Sequence, residues 1–204
     1  MRTYYIHTFG CQMNEHDSEK MAGVLEEMGF RRAKPGERPD IFIINSCAVR
    51  EKSVQKFYTL IGRLKKWVRK GTVLGVTGCV VQLERDRLLK HFPYISFALG
   101  TNAYRSFRFA VEKALEGEKF SDFHWDRACW EVERPVRNIP AVAYINIMEG
   151  CNNFCTYCVV PFTRGREKYR PFDSILKEVL KLDQEGFKEI QLLGQNVNSW
   201  KDEE

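Results

Sequence analysis

The sequence predicts an α/β fold: a parallel sheet covered by helices on both sides, followed by a shorter strand–helix–strand unit. Three observations carry that prediction. Apolar runs of strand length alternate with segments whose apolar residues recur at helical spacing, as right-handed crossovers in a parallel sheet require. Two runs, Asp40-Ile41-Phe42-Ile43-Ile44-Asn45 and Val73-Leu74-Gly75-Val76-Thr77, are apolar at nearly every position, like strands buried on both faces. A stretch without period, punctuated by Pro135 and Pro140, then separates this alternation from the second unit.

Taken in order, residues 4–9 form a short strand ending at Gly10-Cys11. The next helix is expected to be capped by Asp17 or Ser18, with Met21, Val24, Leu25 and Met28 inward and Gly29 as its stop. Residues 31–39 are a polar turn, and the strand over 40–45 ends at Ser46-Cys47. Val54, Phe57, Ile61, Leu64 and Val68 mark a helix over 53–70, which Gly71 ends. The strand over 73–77 runs into Gly78-Cys79. A helix over 83–91, a weaker strand over 95–99 and a helix over 105–116 complete a first domain, residues 1–118. Residues 119–139 read as a linker. The second domain, 140–204, opens with an alternating strand over 141–148. Pro171 and Asp173 open a helix bearing Ile175, Leu176, Val179 and Leu182, and a strand follows over 189–193. Two strands and a helix close neither a barrel nor an independent sheet, so this domain is expected to be truncated.

The chain has 204 residues, a net charge of +5 and 44% hydrophobic residues, enough for one large or two small domains. It lacks both an apolar run of membrane-spanning length and a charged–apolar–small leader. The expectation is therefore a cytoplasmic protein, neither a membrane span nor a secreted precursor. Seven cysteines, an odd number with three inside eight positions, argue against a disulfide framework and for metal binding in a reducing compartment. The modest positive charge permits a nucleic-acid partner without demanding one.

The densest cysteine group is Gly150-Cys151-Asn152-Asn153-Phe154-Cys155-Thr156-Tyr157-Cys158, a C-x₃-C-x₂-C loop leaving a predicted strand. Three thiolates hold a four-iron cube but leave one iron open for a small-molecule ligand. The alternative is a structural zinc site with a distant fourth ligand, although zinc ligands usually pair as C-x₂₋₄-C and close at four. A second set is dispersed. Cys11, Cys47 and Cys79 each follow the C-terminal end of a predicted strand, and in a parallel sheet those ends share the edge where ligands bind. Gly10 and Gly78 precede two of them, as expected where backbone approaches a bulky ligand. The alternative is three unrelated core cysteines. Cys129 matches neither set and reads as structural or incidental.

Other features divide more evenly. Arg164, Arg166, Lys168 and Arg170 suit RNA phosphates, a cofactor carboxylate or a merely solvated loop. Lys65, Lys66, Arg69 and Lys70 complement a helix C-terminus. His7, His16, His91 and His124 share no spacing and read as structural, with His124-Trp125 a candidate domain-packing anchor.

The loop Cys151-x₃-Cys155-x₂-Cys158, with Tyr157 before the last cysteine, resembles the radical S-adenosylmethionine enzymes. Gly10-Cys11-Gln12-Met13-Asn14, Asn45-Ser46-Cys47-Ala48-Val49-Arg50, Thr77-Gly78-Cys79-Val80-Val81-Gln82, Thr163-Arg164-Gly165 and Leu193-Gly194-Gln195-Asn196-Val197-Asn198 resemble the methylthiotransferases of that superfamily, across both ends of the chain. The resemblance implies a Rossmann-like N-terminal domain followed by the first β-α-β part of a radical S-adenosylmethionine partial TIM barrel. It assigns Cys151, Cys155 and Cys158 to a radical 4Fe-4S cluster, and Cys11, Cys47 and Cys79 to an auxiliary 4Fe-4S cluster. It implies S-adenosylmethionine contacts at Tyr157, Gly194 and Gln195, and assigns no acid or base.

Within the family, Cys47-Ala48-Val49-Arg50-Glu51-Lys52 and Tyr157-Cys158-Val159-Val160-Pro161-Phe162-Thr163-Arg164-Gly165-Arg166 are most similar to the branch acting on transfer RNA. That branch gives 2-methylthio-N6-isopentenyladenosine at position 37, a C–H bond at C2 that no side-chain base ionises. Sister branches act on threonylcarbamoyladenosine or on an aspartate of a ribosomal protein. The implied partners are the anticodon stem-loop of an already isopentenylated transfer RNA and an electron donor such as a flavodoxin or ferredoxin, for a monomeric enzyme. The non-enzyme alternative is a metal-free α/β scaffold.

Overall fold

The computed structural model describes residues 1–126 and 128–202. Arg127 of the expected linker, and Glu203 and Glu204 of the second domain, lie outside the described residues.

Six strands form one fully parallel sheet: β1 (Thr3–Phe9), β2 (Arg31–Arg32), β3 (Ile41–Ser46), β4 (Val73–Gly78), β5 (Phe97–Leu99) and β6 (Phe120–Asp122), in the order β2-β1-β3-β4-β5-β6. The helices between them are α1 (Gln12–Glu27), α2 (Glu51–Val68), α3 (Cys79–Glu84), α4 (Asp86–His91) and α5 (Phe107–Leu115). They divide between the two faces. Met21 and Leu25 of α1 pack with Phe107 and Val111 of α5 against Ile41, Ile43 and Phe97. Phe57, Ile61 and Leu64 of α2 pack with Val81 and Leu88 on Phe42, Ile44, Leu74 and Val76. Each such large side chain contributes about 1.5–3 kcal/mol on burial.

Chain order reverses between β1 and β3. From β1 the chain crosses by α1 to β2 on one side; from β3 it crosses by α2 to β4 on the other. In open α/β sheets such a switch point opens a crevice beyond the strand C-termini. The ladders set Phe9 beside Ser46 and Ser46 beside Gly78, so the chains leaving β1, β3 and β4 depart from one row.

The second unit contains β7 (Val142–Asn146), β8 (Met148–Glu149), α6 (Val160–Thr163), β9 (Lys168–Tyr169), α7 (Phe172–Gln184) and β10 (Glu189–Leu193). β7 and β10 are parallel, while β8 and β9 pair antiparallel. Ile175 and Leu182 of α7 cover Ala143 and Ile145. This is the expected strand–helix–strand, except that the strand predicted over 141–148 divides into β7 and β8.

Several expectations need correction. The first helix starts at Gln12, with Cys11 as its N-cap, rather than after Asp17 or Ser18. Those two polar residues lie buried inside the helix, because α1 is covered on one side by its own sheet and on another by β7. The helix expected over 83–91 is two helices, broken at Arg85 where φ is +47°. The aperiodic segment starting at residue 119 supplies β6, a sixth strand too short to display a period.

Candidate functional site

Cys11, Cys47 and Cys79 all emerge at the switch-point edge. Cys47 follows β3 directly, Cys79 begins α3, and Cys11 caps α1. Cys47 and Cys79 are buried and Cys11 is exposed. A neighbouring Cys47 thiol, acting as hydrogen-bond donor, brings the Cys11 thiol down to about 5. Burial opposes that shift, while the backbone N–H groups of Asn14 and Met13 and the charge of Arg164 assist it. Cys47, as the donor, is pushed up, by that bond first and by burial second. A thiolate at a helix N-terminus, backed by a cation, is a reactive soft donor.

Two buried asparagines fix this geometry. Asn14 Nδ2 donates to Asn45 Oδ1 at 3.0 Å, and Asn45 Nδ2 donates to the Asn14 carbonyl at 2.8 Å and to Ser18 Oγ at 3.0 Å. Asn14 Oδ1 also accepts from the Cys11 N–H at 3.5 Å. The start of α1 is thereby tied to the end of β3. The glycines answer to the same pair. A Cβ on Gly78, whose φ is +97°, would lie 2.4 Å from the Ser46 carbonyl oxygen and 2.6 Å from Asn45 Oδ1. One on Gly10 would lie 2.4 Å from Asn14 Oδ1. Protein atoms already crowd these two positions. Asn14 and Asn45 stand inside the motifs Gly10–Asn14 and Asn45–Arg50, yet an asparagine in sequence carries no sign that it will be buried.

The C-x₃-C-x₂-C loop is closed at its root by the β8–β9 pair, which sets Glu149 opposite Lys168. Lys168 Nζ reaches Glu149 Oε2 at 3.0 Å. Inside that root the Cys151 N–H donates to the Gly165 carbonyl at 3.1 Å, and Asn152 and Glu167 exchange hydrogen bonds. Cys158 N–H donates to the Cys155 carbonyl at 2.9 Å, folding the two residues into a turn. Cys151 is buried, Cys158 half-buried and Cys155 exposed. Tyr157 is 92% exposed. The chain leaving β10 brings Gln195 to the loop, where its Oε1 accepts from the Gly150 N–H. Gly194 lies against Met148, whose Cγ would be 2.5 Å from an added Cβ.

The two thiol sets belong to one neighbourhood. α6, just after the cysteine loop, packs on α3, the helix that Cys79 begins. Arg164, at the end of α6, donates from Nη2 to Asp17 Oδ2 of α1 at 2.6 Å, with both side chains at most 3% exposed. Burial works against the Arg164 charge, but Asp17 and Cys79 hold it cationic. Thr101 donates to the Thr163 carbonyl, and Lys168 Nζ to Asn102 Oδ1 at 2.7 Å. Of the basic cluster, Arg164, Lys168 and Arg170 are all committed to carboxylates, Arg170 to Glu178 and Glu131. They are neither a solvated loop nor a free phosphate patch. Among the described residues Arg166 alone of the four has no carboxylate partner.

Among the described residues, no three His, Cys, Asp or Glu side chains converge as ligands of a single metal ion would. The donor chemistry fits a larger group. Each set offers three thiols and no nitrogen or oxygen ligand, a soft donor set that suits iron–sulfur clusters. Cys129 joins neither set. It is buried beneath the Lys168 carbonyl, and burial pushes its thiol up to about 12.

Comparison with known proteins gives two family matches along the chain. Residues 3–100 match the family described as "Uncharacterized protein family UPF0004", and residues 145–204 match the "Radical SAM superfamily". The chain is 45% identical over 204 residues to the tRNA-2-methylthio-N(6)-dimethylallyladenosine synthase of Thermodesulfovibrio yellowstonii, covering 98% of this chain and 47% of that protein. It is 48% identical over 200 residues to the synthase of the same name from Thermotoga petrophila, covering 97% and 44%, and 44% identical over 207 residues to that of Bdellovibrio bacteriovorus, covering 100% and 46%. The chain thus spans a little under half the length of the curated relatives it matches. With one match on the six-stranded domain and another on the domain bearing the cysteine loop, the chain belongs to the methylthiotransferase family of radical S-adenosylmethionine enzymes.

Proposed function

We propose that this chain is the cluster-holding part of a transfer-RNA methylthiotransferase. In this reading the intact enzyme inserts sulfur and a methyl group at C2 of N6-isopentenyladenosine-37. The observation that carries the reading is that the strand-end edge bearing one three-thiol set is joined to the segment just after the other by the buried Asp17–Arg164 ion pair and by packing of α3 on α6.

Cys151, Cys155 and Cys158 hold the radical cluster, and Cys11, Cys47 and Cys79 hold the auxiliary one. With S-adenosylmethionine bound, a four-iron cluster on these thiols would supply the one-electron, radical-forming chemistry that an unactivated C2–H bond requires. The protein's share is placement. Gln195 holds the root of the loop through the Gly150 N–H, and with Gly194 and the backbone near Tyr157 it lines the cofactor side. The Asn14–Asn45 link sets the Cys11 and Cys47 loops at a fixed spacing. The domains divide at 1–118 and 140–204, with a segment from 119 to 139 between them whose Phe120–Asp122 returns to the first domain's sheet as β6. The substrate is the anticodon stem-loop of an isopentenylated transfer RNA, the electron donor is a flavodoxin or ferredoxin, and the enzyme is a cytoplasmic monomer.

Anaerobic reconstitution of the full-length protein is expected to give about eight irons per chain, and changing Cys151, Cys155 and Cys158 together to alanine to remove about half. One zinc and no iron would overturn the reading. So would iron content indifferent to serine at Cys11, Cys47 and Cys79, which would make the first domain a metal-free scaffold. Unchanged 2-methylthio content in transfer RNA from a deletion strain would exclude the substrate.

A further inference from the structure

A cleft of about 490 Å³ lies against the cysteine loop, lined by Trp125, Phe154, Arg164, Gly165, Arg166 and Lys168. Trp125 follows β6, so it comes from the same strand-end edge as the dispersed cysteines, while Phe154 immediately precedes Cys155. Both rings are large, apolar and uncovered: Trp125 is 43% exposed and Phe154 47%. Neither is loosely placed. The Trp125 ring rests on Gly165, where an added Cβ would lie 2.8 Å from Cζ3. Phe154 holds a φ of +47°, a conformation that residues with side chains rarely adopt. Its ring carries the Arg166 guanidinium 5.2 Å from its centre and meets the exposed Phe162 edge-on at 6.4 Å.

The charges around these rings sort in an informative way. Arg164 and Lys168 are neutralised by Asp17 and Glu149, Asp126 is engaged by Arg105, and the lining carboxylate Glu167 accepts hydrogen bonds from Asn152, Tyr169 and Ser199. Among the described residues Arg166, resting on the Phe154 ring, is the cleft cation without a carboxylate partner. Two fixed aromatic rings, with a guanidinium that rests over one of them and has no carboxylate partner among the described residues, are the elements by which proteins hold an unpaired base: rings stack on its π-face, and arginine adds a cation–π contact or meets the adjoining phosphate. The volume accommodates a nucleotide. A hydrophobic peptide would use the rings but leave Arg166 without a partner.

We propose that this cleft seats an unpaired nucleobase of the RNA substrate, stacked on Trp125 and Phe154 with Arg166 at its phosphate. This deepens the function proposed above and rests on it. The same rings offer a face to the adenine of S-adenosylmethionine, so the test separates the two sources.

The experiment measures binding of a short RNA hairpin, with an unpaired adenosine in its loop, to the full-length protein by fluorescence anisotropy. Trp125→Ala and Phe154→Ala are each expected to weaken binding roughly 5- to 100-fold. Trp125→Phe, which keeps a ring on Gly165, is expected to retain most of it. Replacing the loop adenosine by an abasic site should erase the difference between wild type and the alanine variants. Arg166→Ala should reduce the salt dependence by about one phosphate contact. If wild type binds the hairpin and both alanine variants bind equally well, the inference falls and the functional reading stands. If the variants lose S-adenosylmethionine but not the hairpin, the cleft is the cofactor's and the inference also falls. If wild type does not bind the hairpin at all, the functional reading falls with it.

Discussion

Replacing either partner of the Asp17–Arg164 pair should reveal which force dominates between the two cysteine sets. Both side chains are at most 3% exposed and 2.6 Å apart. Burial nevertheless outweighs the pull of Arg164 and pushes Asp17 up to about 6. In the unfolded chain an aspartate titrates near about 3.9. Because the folded value is the higher one, the contribution of this group is fully present below about pH 3.9 and is lost as pH rises through about 6. Two units at about 1.36 kcal/mol each make the cost of the carboxylate at pH 7 about 3 kcal/mol. Asp17→Asn removes that charge while keeping an oxygen for Arg164. It is expected to be neutral or up to about 3 kcal/mol stabilising at pH 7, with the gain vanishing below about pH 4. Arg164→Met strips the carboxylate of its counter-charge, so Asp17 stays protonated at pH 7. Its penalty should shrink by about 1 kcal/mol between pH 7 and pH 5, where wild-type Asp17 is already mostly protonated. Urea unfolding of the full-length protein at several pH values, followed by tryptophan fluorescence, measures both. If Asp17→Asn costs about 3–5 kcal/mol at pH 7, the loss typical of breaking a well-compensated buried ion pair, the reasoning is refuted.

Three further substitutions test the scaffold. Gly150→Ala places a Cβ 2.1 Å from the Arg166 carbonyl oxygen at a φ of +84°, and denaturant unfolding should show a loss of roughly 2–5 kcal/mol together with loss of iron from the adjoining loop. Gly75→Ala drives a Cβ to 2.1 Å from Phe97 Cζ, and should cost about 1–3 kcal/mol, partly recovered when Phe97→Leu is added; no recovery would mean that the clash lies elsewhere. Arg137→Met leaves Glu19, 1% exposed, without its arginine while Glu178 keeps Arg170, and thermal unfolding should register a loss of about 3–5 kcal/mol.

The strand-end cysteines were legible because two periodicities were enough to find them. Apolar runs located the strands, helical spacing implied parallel crossovers, and a parallel sheet puts all its strand C-termini at one edge. The start of α1 was not legible. His16-Asp17-Ser18-Glu19-Lys20 is uniformly polar and offered Asp17 or Ser18 as a helix cap, yet all five residues are buried. Their partners are remote in sequence: Arg164 for Asp17, Arg137 for Glu19, the Trp130 carbonyl for Lys20, Thr8 and Asn45 for Ser18. Composition reports a residue's own polarity, not whether a second domain will cover it. The basic cluster misled for the same reason, since the carboxylates that absorb Arg164 and Arg170 lie on α1, α7 and the connecting segment. The break at Arg85 left no mark, because a single residue with positive φ changes no apolar spacing.

One element ties the two halves of the site together, and that makes their spacing a property of a helix rather than of a flexible joint. α1 is capped by Cys11, in the first thiol set. One turn along, Met13 packs on Tyr144 and Leu193 of the second domain, and Asn14 fastens to Asn45 before Cys47. A turn further, Asp17 holds Arg164 beyond the other cysteine loop, and Glu19 holds Arg137. Residues 13, 14, 17 and 19 thus face three directions, which a helix permits only if nearly its whole circumference is buried, as it is here. Any change that tilts α1 must therefore move Cys11 relative to Cys47 and move the C-x₃-C-x₂-C loop relative to both. In the function proposed above, a sulfur-bearing site and a radical-generating site act on one carbon atom and need that kind of common mounting, since an error of about 1 Å in such a geometry costs on the order of a hundredfold in rate.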